Sequence, residues 1–203
     1  PGALIVLQED INNYRGTTDT FLGSYFNTTP YGDYEDLISR ENSYNPLIRF
    51  AIFSSEGGPV PDGAAITSAT LSLYKSSYYN YTYRAHPLLI DWDESQATWE
   101  QAANGQPWNE PGAQGSGTDY MAGGSPEASV GWNPGWLELD ITDSVQAMSL
   151  GQQSNFGWHL IGITGNSNTR YFYSREYPDD PSLRPKLVIY YQTDPNANFH
   201  PTV

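Results

Sequence analysis

Short stretches in which apolar and polar residues alternate run the length of this chain, and helical spacing is nearly absent. The clearest is Ala69-Thr70-Leu71-Ser72-Leu73-Tyr74, where Ala69, Leu71 and Leu73 fall on one side. A period of two belongs to a strand with one face in a core and the other towards solvent. Strand-like runs of this kind are predicted over residues 3–8, 19–22, 47–52, 68–74, 79–86, 136–139, 156–163, 171–174 and 185–191. Between them gather Gly, Pro, Asn, Asp and Ser, as over residues 55–63 and 104–117, which read as turns and long loops. One segment, residues 141–150, reads as a helix. Asp140 or Thr142 is placed to cap its start, and Gly151 to stop it in a left-handed conformation. Many short strands, one short helix and no repeat predict an all-β protein: a jelly-roll-like two-sheet antiparallel β-sandwich. The pattern is even enough to predict one sandwich over residues 1–192. Residues 193–203 form a polar tail with two prolines.

Charge narrows the function classes. With 9 Lys+Arg against 23 Asp+Glu the net charge is −14. A nucleic-acid binder must neutralise phosphates with cations that are scarce here, and an anionic membrane surface would repel the chain. Membrane insertion is not expected either, because no stretch approaches the roughly 20 apolar residues of a spanning helix. The absence of cysteine excludes disulfides, thiol catalysis and thiolate metal sites. The chain begins Pro1-Gly2, as a chain would after removal of a signal peptide, and the expected location is extracellular or at the cell surface. Two N-glycosylation acceptor patterns, at Asn27 and Asn80, fit an exported chain and equally fit ordinary turn and strand polarity.

The middle of the chain carries a more specific signal. Leu47-Ile48-Arg49-Phe50 leads through Pro61-Asp62-Gly63-Ala64 into residues 66–74. Then follow Trp92-Asp93-Glu94 with Ala97-Thr98-Trp99, Pro107-Trp108 with Pro111-Gly112-Ala113, and Ser174-Arg175-Glu176 before Leu183-Arg184-Pro185-Lys186-Leu187. Upstream stand Thr17-Thr18-Asp19-Thr20 and Tyr31-Gly32. In this order and over roughly residues 4–192 they resemble the DNRLRE domain family. The resemblance implies a jelly-roll-like sandwich of extracellular proteins, with relatives beside polysaccharide-degrading enzymes and some related modules that bind carbohydrate. Ala51-Ile52-Phe53 departs from the family pattern, and the tyrosine-rich segment 78–83 has no counterpart in it.

Within that frame, Trp92 and Trp99 are expected to pack a loop whose Glu94 accepts backbone N–H bonds near Thr98. Arg175 and Arg184 are expected in bidentate ion pairs with carboxylates at the sandwich end. Tyr79, Tyr81 and Tyr83 alternate, so one sheet face would show three phenol rings in a row. Such rings suit a sugar or another protein, and they also suit a core edge or cross-strand pairing. Trp108 and Trp132 join them as candidate carbohydrate or partner contacts.

Calcium is a further reading, because Asp10, Asp19, Asp33, Glu35 and Asp36 supply loop and strand-end oxygens near the opening motif. EF-hand spacing is missing, and a solvated acidic face explains the same residues. Catalysis finds no motif. His86, His159 and His200 lack zinc-ligand spacing, Gly115-Ser116-Gly117 lacks the flanks of a nucleophile elbow, and no phosphate or dinucleotide loop is present.

The leading expectation is a secreted, non-catalytic structural subunit of an extracellular filament or surface assembly. Its tail would lie on a neighbouring copy, with Phe199 and Val203 as anchors, giving a homo-oligomer or polymer. The alternative is a carbohydrate-binding module that takes a polysaccharide.

Overall fold

The computed structural model describes residues 2–164 and 167–192. The strands are β1 (Gly2–Gln8), β2 (Thr17–Gly23), β3 (Asp36–Ser39), β4 (Tyr44–Phe50), β5 (Ala65–Lys75), β6 (Tyr81–Pro87), β7 (Gln101–Ala103), β8 (Gln106–Pro107), β9 (Ala128–Val130) and β10 (Gly135–Asp140). Helix α1 (Thr142–Ser149) follows, then β11 (Trp158–Gly162), β12 (Arg170–Tyr173) and β13 (Lys186–Gln192). One sheet runs β1-β13-β5-β12-β3, with β10 paired to β5, and the other runs β2-β4-β11-β6-β9. Every strand pairing is antiparallel, so the predicted two-sheet sandwich with one short helix is what forms.

Alternation sorts the two faces as expected. Ala69, Leu71 and Leu73 of β5 enter one buried cluster with Ile48 and Phe50 of β4, Tyr83 and Ala85 of β6, and Trp158 and Leu160 of β11. Burying such side chains is worth about 1.5–3 kcal/mol each, which fixes the register of both sheets. Asp140 Oδ1 accepts from the Thr142 N–H (3.0 Å) and hydroxyl (2.6 Å) just ahead of α1, while Gly151 ends the helix at φ 67°.

A second apolar cluster lies outside the sandwich. Leu22 and Leu47 point away from the main core, and the segment between β6 and β9 folds over them with Leu88, Trp92, Trp99 and Trp108. Indole N–H groups fasten it: Trp92 donates to the Phe156 carbonyl (2.8 Å) and Trp108 to the Thr98 carbonyl (2.9 Å). Gly112 is required here, since its φ is 79° and a Cβ would stand 2.6 Å from the Trp99 ring. This layer accounts for leucines on a strand face that would otherwise be wet.

Several bounds differ from expectation. The run predicted over 47–52 forms a strand over Tyr44–Phe50, and β6 begins at Tyr81 rather than at residue 79. Strands β3, β7, β8 and β9 fall outside the predicted runs, because two to four residues carry too little alternation to register. The tail 193–203, with Phe199 and Val203, lies outside the described residues.

Candidate functional site

Strand β5 ends on an inward position, two residues beyond Leu73, and there the chain places Lys75 with no solvent exposure. Its ammonium donates to the carbonyl oxygens of Tyr79 (2.6 Å), Gly131 and Trp132 (3.5 Å). Burial lowers the pKa of Lys75, and the neighbouring Arg170 charge lowers it further. Two surface loops, one after β5 and one before β10, are thereby tied to a single interior charge.

What they present outward is aromatic. Tyr79 is 42% exposed and Trp132 63%, and their rings stand 5.9 Å apart at 52°. Tyr79 takes φ 80°, an unusual backbone for a tyrosine, which turns it out of line with the strand that follows. Tyr78, 65% exposed, stands beside it in sequence.

The same geometry corrects the expected row of three phenols. Tyr81 and Tyr83 are buried in the main core, because β6 starts at Tyr81 and turns these two inward. Tyr83 donates to the Ser39 hydroxyl (3.2 Å), and the Arg170 guanidinium lies 3.8 Å over the Tyr81 ring. Trp108 is likewise buried, in the outer layer, and offers no face to a ligand. Of the five residues expected to touch a carbohydrate or partner, only Tyr79 and Trp132 are exposed, and they are brought together. Burial of alternate residues decided this, and it depends on where β6 begins.

A second aromatic group on the surface, around Tyr173, is built differently. Tyr177 stacks on Tyr173 at 3.6 Å, Tyr173 on Tyr74 at 5.7 Å, and Trp136 meets Tyr74 edge-on with Lys186 over its own ring. Those rings cover each other's faces, so little π surface is left for a ligand.

The calcium candidates do not converge. Asp10 pairs with Arg15 and Arg184, and no group of three or more His, Asp or Glu placed to hold a metal ion occurs among the described residues. Asp33 is exposed, and Asp36 lies on β3 with its pKa raised by burial and by Glu35. Asp19 instead joins Glu94, Arg175 and Glu176. Glu94 accepts the Asp19 N–H (2.8 Å) and both arms of Arg175 (2.8 and 2.7 Å), so the bidentate pair forms, but Glu94 does not serve the backbone near Thr98. Burial, with Glu94 nearby, pushes Glu176 up to about 7, and burial with the Glu176 charge raises Asp19 well above the ordinary carboxylate range. One oxygen of each, Asp19 Oδ1 and Glu176 Oε2, has no hydrogen-bond partner.

The histidines His86 and His159, distant in sequence, face each other across β6 and β11, and both meet the edge of Tyr120. Both sequon asparagines are exposed, but Asn80 is followed by buried Tyr81; Asn27 donates to Glu100 (2.8 Å).

The described residues thus form an antiparallel sandwich that holds out a tyrosine and a tryptophan from loops pinned by Lys75. The family model described as carbohydrate-binding module family 96 matches residues 11–191, and the chain belongs to that family. A module of this class is non-catalytic. The match supports kinship with carbohydrate-binding modules, without carrying the DNRLRE name. No curated protein matches the chain. No described helix is long and apolar enough to cross a membrane.

Proposed function

We propose that the chain grips a polysaccharide by stacking sugar rings on Tyr79 and Trp132. The observation that carries this reading is the exposed pair itself, held by buried Lys75 so that little ordering remains to be done on binding. A pyranose has an apolar C–H face and a polar rim, which suits an aromatic face edged by loop amides and carbonyls. The proposal places the protein outside the cell, where such polymers lie. Family membership favours this reading over a filament subunit, for which no structural observation speaks.

Affinity electrophoresis through gels containing neutral and acidic polysaccharides tests it. Truncating a central aromatic anchor costs about 2 kcal/mol, so Trp132→Ala and Tyr79→Ala are each expected to weaken retardation roughly thirtyfold. Retardation equal to that of the wild type in both variants would remove the platform from the account.

A further inference from the structure

We propose that Asn27 carries a covalent N-linked glycan whose first pyranose lies on the exposed rings of Tyr25 and Phe26. The inference shares with the reading above only the placement outside the cell. It does not depend on Tyr79 or Trp132, nor on any sugar being bound as a ligand.

It starts from two bulky rings held out in water. Tyr25 and Phe26 follow β2 in a turn and are 65% and 70% exposed; among the described residues no large hydrophobic side chain is more exposed than Phe26. The other described phenylalanines, Phe21, Phe50, Phe53, Phe156 and Phe172, are buried or half-buried. Tyr25 leans on Tyr44, with ring centres 6.1 Å apart, whereas Phe26 has no hydroxyl with which to meet the solvent. A single exposed apolar residue needs no cause, but adjacent rings form a patch that calls for a cover. The very next residues are the acceptor pattern Asn27-Thr28-Thr29.

The turn offers that pattern to a modifying enzyme. The Thr29 N–H donates to the Phe26 carbonyl (3.0 Å), so Asn27 and Thr28 stand at the corners of a four-residue turn, and residues 25–30 are all exposed. Asn27 Nδ2 donates to Glu100 Oε1 (2.8 Å), and the Asn27 carbonyl accepts the Glu100 N–H (3.3 Å), which fixes the amide beside the rings. A glycosylated amide nitrogen keeps one hydrogen, enough to retain the Glu100 bond. Tyr78 and Tyr79 likewise precede Asn80, but there the pattern runs straight into β6. Tyr81 is buried and the Thr82 hydroxyl is paired with that of Ser129 (2.8 Å), so in the folded chain only the Asn27 segment stands clear.

The transfer needs a glycosyl donor, an oligosaccharide on a lipid diphosphate, and a transferase. The bond from Asn27 Nδ2 to the anomeric carbon forms as the bond from that carbon to the diphosphate oxygen breaks. The electron pair leaves with the diphosphate, and one Nδ2 proton is released. The first pyranose then has an apolar C–H face to lay on a ring, and its hydroxyl rim replaces exposed hydrocarbon with a hydrated surface.

Mass spectrometry of tryptic peptides from the protein made in its natural source tests the assignment. Cleavage after Arg15 and Arg40 isolates Asn27 in peptide 16–40, and cleavage after Lys75 and Arg84 isolates Asn80 in peptide 76–84. Peptide 16–40 is expected to carry the mass of a glycan and to lose it in Thr29→Ala, which destroys the acceptor pattern but keeps Asn27 and its bond to Glu100. Recovery of peptide 16–40 wholly without sugar overturns the proposal, whatever peptide 76–84 carries. For the stacking, Thr29→Ala is expected to melt about 2–4 °C below the glycosylated wild type, and the gap should close when Phe26→Ala is present in both. Equal melting of the glycosylated wild type and Thr29→Ala overturns the contact with the rings.

Discussion

Raising the pH from 5 to 8 should destabilise this fold, and Glu176→Gln should remove most of that effect. In the folded chain burial and the Glu94 charge lift Glu176 from 4.5 to about 7, with Arg175 opposing them. Its side chain is only 20% exposed, so solvent screens the shift little. In the unfolded chain Glu176 titrates near its ordinary value. Between these two values the folded state holds a proton that the unfolded state has released, so stability falls as pH rises through the window. At about 1.4 kcal/mol per pKa unit the loss is on the order of 3 kcal/mol, complete above roughly pH 7.5. For a domain of this size that is roughly 6–12 °C in melting temperature. Asp19, raised in the same direction by the same neighbours, adds to the slope, and the two groups titrate as a pair. The assay is a series of thermal melts from pH 5 to 8 on the wild type and Glu176→Gln. Glutamine is isosteric and uncharged throughout, so its curve should lose the Glu176 share of the slope and keep only what Asp19 contributes. A variant whose melting temperature falls as steeply as that of the wild type would refute the reasoning and place the pH dependence in general repulsion among the surface carboxylates.

Two further outcomes follow from the same structure. Lys75→Met keeps the buried length of the side chain but strips the carbonyls of Tyr79, Gly131 and Trp132 of their donor; stability should drop by about 1–3 kcal/mol, and polysaccharide retardation should weaken with it. Unchanged retardation in a folded Lys75→Met protein would show that the ammonium does not position the platform. Trp108→Ala should lower stability by about 3–5 kcal/mol in denaturant titration, as a packed indole does, whereas a surface sugar contact would lose affinity at constant stability.

Strand β5 was legible because Ala69, Leu71 and Leu73 alternate against a buried sheet, and α1 because Asp140 and Gly151 bracket it. The site was legible only in part. Tyr79, Tyr81 and Tyr83 share a parity that promises a common face, and no local signal announces that Tyr79 turns out at φ 80° while its two partners turn in. Lys75 was missed altogether. It reads as an ordinary strand-end cation, and only the return of the β9–β10 loop above it supplies the carbonyl oxygens that hold it inside.

By itself the sequence determined the class of fold and the absence of thiol chemistry, since periodicity and composition are properties of neighbours along the chain. It also brought forward Trp132 and Tyr79 as candidates. Tertiary structure decided which aromatic rings meet water, which carboxylates are buried beside one another, and that Arg40 and His159 border one space. These depend on contacts between residues dozens of positions apart, whose free energies are set by burial and mutual distance, and local pattern carries no record of either.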